Sequence, residues 1–389
     1  MKMLIALVFL SFTSCSVGDD IFDDLGTNIS SPTGLAVDST NRRLYVTNSN
    51  SGVNYDWEQG SLQIVDIATP QDPELQGTAA TLSFSGEVYV DIANNRAYVA
   101  NRFSEGEGAA SDRLLVVDVS TPTDPFVVEE VSAQLNPFAV DCCAGDSGNL
   151  LLSTSSQGVL QYGSIGGSSL TLNNVDILQT LSNGFLLSRA TVTDVEIVGT
   201  WAFLSRNEGG ILVINLGEIA DTSKNPVDYF IDDIRSPRGL AASGTKLLVA
   251  DEDIIDGTLT SRVVILETSV FTASNATDTT VIQQSYTSGD QSLLVATVSV
   301  GRDPQRIEVA GTQAFVTNMD DDTVSVISLE SNSPGTPIAV GDQPFGVAVD
   351  SPGGIPTTLY VGNFGDNTIS IIDILDGSTT RFTVVGTYP

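Results

Sequence analysis

The sequence contains no histidine. That absence excludes Ser-His-Asp triads, Cys-His nucleophile pairs, His-ligated copper, iron or zinc, and haem held by an axial His. Lysine is nearly missing too, with only Lys2, Lys224 and Lys246 present. Against 16 basic residues stand 48 acidic ones, a formal net charge of -32. A surface of this sign repels phosphate backbones, so no nucleic-acid partner is expected. The acidity fits solubility in a saline medium, where charge is screened, and equally fits attraction of cations or a basic partner. Cysteine is scarce: Cys15, Cys142 and Cys143 are all there is. The last two are adjacent and have no distant partner for a loop-closing disulfide, so packing alone must stabilise the fold. Long apolar runs are absent. Only Met3 to Phe12 is continuously apolar apart from Ser11, and a bilayer span needs about 20 such residues.

What is present is 41% hydrophobic residues, 16% charged residues and 35 glycines. That mixture, rich in Val, Thr, Ser and Gly, predicts many short strands joined by turns. The first residues stand apart. Lys2 followed by the apolar run reads as a signal peptide. Phe12-Thr13-Ser14-Cys15 resembles a bacterial lipobox, in which Cys15 would be lipidated and become the first residue of the mature chain; Phe12 departs from the usual Leu. Ser16 follows where an Asp would suggest retention at the inner membrane, so the resemblance implies an outer-membrane lipoprotein, on the periplasmic side or at the cell surface. The expected organisation is a signal peptide over 1–14, an acidic tether over 15–30 and one domain over 31–389.

Internal self-similarity decides the fold class. SPTGLAVDSTNRRLYVTN begins at Ser31 and is followed by SLQIVDI; QPFGVAVDSPGGIPTTLYVGN begins at Gln343 and is followed by FGDNTISIIDI. DPQRIEVAGTQAFVTN repeats the order from Asp303, and four weaker copies start near Ser85, Asn136, Thr193 and Ser236. Each unit holds three short apolar runs, and a fourth precedes the next unit, as in TLSF at 81, PFVVEEV at 125, LLVATVSV at 293, PIAVG at 337 and RFTVVG at 381. Seven units of four strands predict an all-β, seven-bladed β-propeller of antiparallel blades, WD40-like in plan. Inner strands buried on both faces explain why the runs are continuously apolar rather than alternating. The longest interval, Pro237 to Pro304, predicts a polar loop insertion around Thr268 to Gln291.

With Tyr45-Val46-Thr47-Asn48 matching its name literally, the repeat resembles the YVTN family of β-propellers over roughly residues 31 to 386. That family includes surface-layer proteins, cofactor-bearing oxidoreductases and lactonase-like enzymes, so the resemblance implies a fold more than an activity.

Aligning the first strands places Asp141, Glu196 and Glu308 where other units carry Ala36, Ala241 and Ala348, and Glu87 at the position of Gly34. Carboxylates inside a buried strand are costly unless paired or bound to metal. Two arrangements answer that cost: a Ca²⁺ ion held by Asp141, Glu196 and Glu308, resembling the site of gluconolactonase-type propellers, or a wet channel with pairing to Arg238, Arg302 or Arg306. The acidic second-to-third-strand segments, such as Asp251-Glu252-Asp253 and Asp320-Asp321-Asp322, read as solvated turns or as oxygen ligands for a cation. Cys142 and Cys143 read as a small apolar filler with a turn residue, or as a vicinal disulfide. The leading expectation is a non-enzymatic lipoprotein that binds or scaffolds a protein partner or ligand, with no certain cofactor. The competing expectation is a Ca²⁺-dependent, lactonase-like hydrolase.

Overall fold

The computed structural model describes residues 28–49, 60–82, 84–102, 112–142, 149–154, 159–165, 169–177, 191–221, 226–255, 258–272, 282–285 and 293–389. Residues 1–27, with the expected signal peptide, Cys15 and most of the expected acidic tether, lie outside the described residues, as does Cys143. The chain forms seven sheets in sequence order, a seven-bladed β-propeller. Blades 1 to 7 occupy residues 32–80, 84–132, 137–176, 192–232, 237–299, 304–339 and 344–388. Each sheet runs from a first strand near the axis to a fourth at the rim, with antiparallel neighbours. The seven first strands pack side by side in a closed ring, Pro344–Asp350 of blade 7 lying against Pro32–Asp38 of blade 1.

The core is divided among the blade interfaces. Seven apolar clusters each join two neighbouring blades, and together they account for every interface in the ring. Second strands show why the runs are apolar throughout. In Arg43–Asn48, Leu44 and Val46 pack towards blade 7 while Tyr45 packs towards blade 2. The two-residue period of a strand is intact, but both faces are inside. At roughly 1.5–3 kcal/mol for each fully buried large side chain, these interfaces are the main favourable contribution to the ring.

Most fourth strands obey a different pattern because they face solvent; that of blade 4, Val227–Asp232, is buried. The fourth strand of blade 1 is Glu74–Ala80, ELQGTAA, and not the TLSF run, whose Phe84 opens blade 2. The apolar run was the stronger strand signal, yet a rim strand needs few apolar residues; Phe126–Ser132 alternates exposed and half-buried positions. Blade 6 breaks its rim strand into two short pieces, Ser333–Pro334 and Ile338–Ala339, both paired with Thr323–Ser328. The expected loop insertion after blade 5's third strand contains a strand as well. Ile282–Ser285 pairs in parallel with Val227–Asp232 and gives blade 4 a fifth strand. Phe271, ahead of it, packs among Tyr229, Phe203 and Trp201, and Tyr229 donates its hydroxyl to the Thr272 carbonyl at 2.7 Å.

All four strands of blade 7 come from the C-terminal end, so among the described residues no strand exchange closes the ring. Side chains and loops do so instead. Arg42 of blade 1 is ion-paired with the fully buried Asp350 of blade 7. Asn367 accepts the Ser31 N–H at 2.7 Å, and Ser39 accepts the Ser351 N–H at 2.8 Å. Ile29, 2% exposed, is packed into the same seam, so the domain's contacts begin ahead of Pro32. Close approach of neighbouring first strands demands glycine at several junctions of the ring, those at Gly346 and Gly239 among them. A Cβ on Gly346 would lie 2.7 Å from the Thr33 carbonyl oxygen, and one on Gly239 would lie 2.4 Å from that of Gln305.

Candidate functional site

The axis of the ring carries a cavity of about 170 Å³ lined by first-strand residues from all seven blades. Every first strand is a sheet edge, and its inward N–H groups have no ladder partner. Acidic side chains from the preceding blade supply acceptors. Asp141 of blade 3 accepts the Ile197 N–H of blade 4 at 2.9 Å, and Asp194 of blade 4 accepts the Leu240 N–H of blade 5 at 2.7 Å. Glu87 bonds in the same way to Val140, and Glu196 to Ala242. The rule is constant: a carboxylate at one position of a blade takes the N–H one position further along the next blade. Asp141 and Asp194 use their second oxygens on the N–H groups of Cys142 (2.7 Å) and Val195 (2.9 Å).

One cation sits among these acids. Arg306 Nε lies 2.6 Å from Glu87 Oε1, without an N–H aligned on it, and Arg306 Nη1 lies 3.4 Å from Asp194 Oδ2. Arg306 therefore connects blade 6 with blades 2 and 4 across the channel. Of the arginines expected to answer the carboxylates, it alone does so. Arg302 pairs with Asp321 at 2.7 Å on the surface, and Arg238 has Asp303 as its acidic neighbour.

Burial raises all five carboxyls. Glu87 is pushed up to about 8, with Arg306 opposing and Asp194 reinforcing the rise. Asp141 rises to about 7, held back by its two backbone N–H donors, and Glu308 rises to about 7 from burial alone. Asp194 is raised, and Glu196 is raised well above the carboxylate range, first by burial and then by Asp141, Asp194 and Glu308. The side chains keep some contact with channel space, Glu87 being 20% exposed, yet protein surrounds them at longer range. Burial therefore lowers the negative charge these five side chains carry near neutral pH below that of five free carboxylates.

Asp141, Glu196 and Glu308 do share one cavity. Their arrangement does not fit a calcium ion. Both Asp141 oxygens already accept backbone N–H groups, and among the described residues no three acidic or thiol side chains are close enough together to hold a metal. Asp194 completes the set and was not singled out in the sequence, whereas Arg306 was among the expected partners. Asp194 aligns with Gly34, as Glu87 does, so the same comparison could have found it.

The acidic upper loops prove to be structural. Asp251, fully buried, receives Arg262 at 2.7 and 2.9 Å and the Ser236 N–H at 2.8 Å. Asp321 receives Arg302, Asp322 the Gln343 N–H and Asp366 the Asp342 N–H. The asparagines ending the second strands tie down the chain that leads into their own blades: Asn48, Asn101 and Asn363 accept the N–H groups of Ser30, Leu82 and Gly341. Cys142 is disulfide-bonded and buried between blades 2 and 3; the vicinal disulfide, one of the two readings of this pair, involves Cys143, which lies outside the described residues.

Above Arg306 the channel opens into a second cavity, of about 260 Å³, lined by Arg102, Asn136, Phe138, Thr193, Arg238 and Phe345 among others. The ring of Phe138 lies 5.9 Å from that of Phe345, edge on, and 6.1 Å from that of Phe84. Arg306 stands over Phe138 and Phe345 at 5.1 and 5.3 Å, and Arg102 over Phe84 at 3.8 Å.

Residues 108–133 match the LVIVD repeat family. No curated protein matches the chain in sequence. Among solved structures, hydrazine synthase of Kuenenia stuttgartiensis is similar with a TM-score of 0.65 and 13% identity, over 91% of this chain and 97% of that one. The Cps50 (Swd1) β-propeller domain of Myceliophteria thermophila has a TM-score of 0.62 and 11% identity, over 88% of this chain and 98% of its own. The computationally designed protein Ika8 follows with 0.52 and 13%, over 90% and 85%. At such identities the likeness is one of fold, in keeping with the β-propeller that the second of these is described as.

Proposed function

We propose that the chain is an envelope lipoprotein of the YVTN type, anchored at the outer membrane through Cys15, whose propeller binds or scaffolds a protein partner without catalysing a reaction. The observation that supports this reading best is the use made of the channel carboxylates. Asp141, Asp194, Glu87 and Glu196 are engaged in joining one blade to the next, and Arg306 bridges two of them, so the polar groups of the axis hold the ring rigid. A rigid disc with loops on both faces suits docking. The sequence Phe12-Thr13-Ser14-Cys15 supports the anchor.

Two measurements test it. Cells expressing the full chain and a Cys15→Ser variant are labelled with palmitate and fractionated. Label should appear in outer-membrane protein only when Cys15 is present. Crosslinking followed by purification from solubilised envelopes should then recover one partner in stoichiometric amount. Label on the Cys15→Ser protein, or hydrolysis of lactones by the purified chain with no partner recovered, overturns the proposal.

A further inference from the structure

The mouth of the channel departs from the charge of the molecule around it. Acidic residues outnumber basic ones by 48 to 16. Yet, among the described residues, the cavity above Arg306 is lined by three arginines, Arg102, Arg238 and Arg306, and by no Asp or Glu. The composition of this wall is the inverse of the chain's. Its remaining surface is of two kinds: apolar (Phe138, Phe345 and the buried Val192) and neutral hydrogen-bonding (Asn136, Thr193 and Gln305 among them).

Each component has a source in the repeat. Phe138, Arg238, Gln305 and Phe345 directly follow Pro137, Pro237, Pro304 and Pro344, the residues that open their first strands. Thr193 holds the same position in blade 4. Five blades thus present this one position to the mouth. In blade 1 it carries Thr33, whose hydroxyl is used within the fold, donating to Ser85 O. The three mouth positions that carry Phe or Arg make a wall of rings and guanidinium groups. Arg102 reaches the same cavity from the end of a second strand and stacks on Phe84.

We infer that this mouth binds a small aromatic anion, a carboxylate or phosphate attached to about one ring, and that Arg102 and Arg238 recognise its charge. The inference rests on the binding reading given above and specifies a ligand for it. Guanidinium groups match carboxylate and phosphate oxygens with paired N–H donors, and they tolerate stacking on rings. Arg306 faces Glu87 and Asp194 and serves as the floor that positions Phe138 and Phe345; Arg238 has Asp303 as its acidic neighbour and Arg102 is stacked on Phe84, so an anion would draw on the remaining N–H donors of the five each guanidinium carries. A cavity of about 260 Å³ is below the range typical of drug-sized ligands, which sets the limit at roughly one ring and its substituent. The raised carboxyls beneath the floor reduce the repulsion an anion would meet.

The experiment is calorimetric titration of the full mature chain with benzoate, phenyl phosphate, benzyl alcohol and benzylammonium. At least one of the two anions should bind with a Kd on the order of 1 mM, as a ligand of so few atoms can support, and benzylammonium at least about tenfold more weakly. Arg238→Gln and Arg102→Gln should each weaken the anion about tenfold while leaving the melting temperature in place. Should either variant melt early, the anion-to-ammonium ratio in the unaltered chain decides by itself. Equal binding of benzoate and benzylammonium, absence of binding by both anions, or unchanged anion affinity in both folded variants overturns the inference. A partner recovered from envelopes together with no anion binding removes this site and leaves the scaffolding reading standing; anion binding with no partner does the opposite.

Discussion

Replacing Arg42 by Met tests how the ring is held shut. Arg42 pairs with Asp350 across the seam between blades 1 and 7 and donates a second hydrogen bond to the Ile67 carbonyl at 2.9 Å. Removing one member of a buried pair costs about 3–5 kcal/mol, because a charge is left without a partner. Two features reduce that figure here. Arg42 is 23% exposed, so water can enter the space it leaves. Burial also raises the pKa of Asp350, so the orphaned carboxyl can take up a proton. The expected loss is about 2 kcal/mol, close to that of a hydrogen bond to a charged group. Trp201 is buried in blade 4, on the far side of the ring, and the only other tryptophan is Trp57. In a Trp57→Phe background, urea unfolding followed by Trp201 fluorescence therefore reads the seam from a distance. If closure sustains the whole ring, Arg42→Met shifts the Trp201 transition by the full amount, and Arg42→Met with Asp350→Leu recovers part of it. A shift below about 0.5 kcal/mol, or faster amide exchange confined to the seam with the Trp201 midpoint unmoved, would refute the reasoning.

Gly239→Ala should lower stability by about 1–3 kcal/mol, since its Cβ would meet the Gln305 carbonyl at 2.4 Å and a backbone atom cannot rotate away; a neutral result in chemical denaturation contradicts the packing described. Phe271→Ala should cost about 3–4 kcal/mol and red-shift Trp201 emission, because Phe271 is 6% exposed and fills the space between Trp201, Phe203 and Tyr229. The five channel carboxyls have folded pKa values above their unfolded ones, so the native chain binds more protons than the unfolded chain between about pH 4 and pH 8. Their contribution is fully present below the unfolded values and is lost as pH rises through about 7 to 8. The melting temperature at fixed high salt should fall from about pH 5.5 to pH 8.5, and Glu308→Gln should flatten that slope. A melting temperature that climbs across the same interval is incompatible with the assignment.

Much of this was readable from the chain because the repeat constrains it seven times over. Pro32, Pro137, Pro237, Pro304 and Pro344 open first strands, and the aligned runs behind them gave the blade count. Alignment also found Asp141, Glu196, Glu308 and Glu87 in one cavity. Their chemistry was not readable, because it depends on the neighbouring blade. Asp141 gains its partner Ile197 only when the ring closes, and nothing near Asp141 in sequence announces that bond. Arg306 was one of three arginines expected to pair with these carboxylates, but which of the three does so, and that its partners stand on blades 2 and 4, follows only from the closed ring. Rim strands were hardest. ELQGTAA and the parallel strand Ile282–Ser285 carry weak strand signals, since a strand wet on one side draws its stability from backbone pairing more than from apolar side chains.

Because every sheet is assembled from one uninterrupted stretch of chain, no blade depends on a segment contributed from elsewhere, save the extra strand that blade 4 receives. The position of the termini is then a matter of genetics more than of mechanics. Joining the ends by a short linker and opening the chain instead between blades 6 and 7, or between blades 2 and 3, would give a permuted polypeptide in which each original sheet is still encoded in one piece. The seam would simply move around the circle, and the ion pair of Arg42 with Asp350 would become one internal junction among seven.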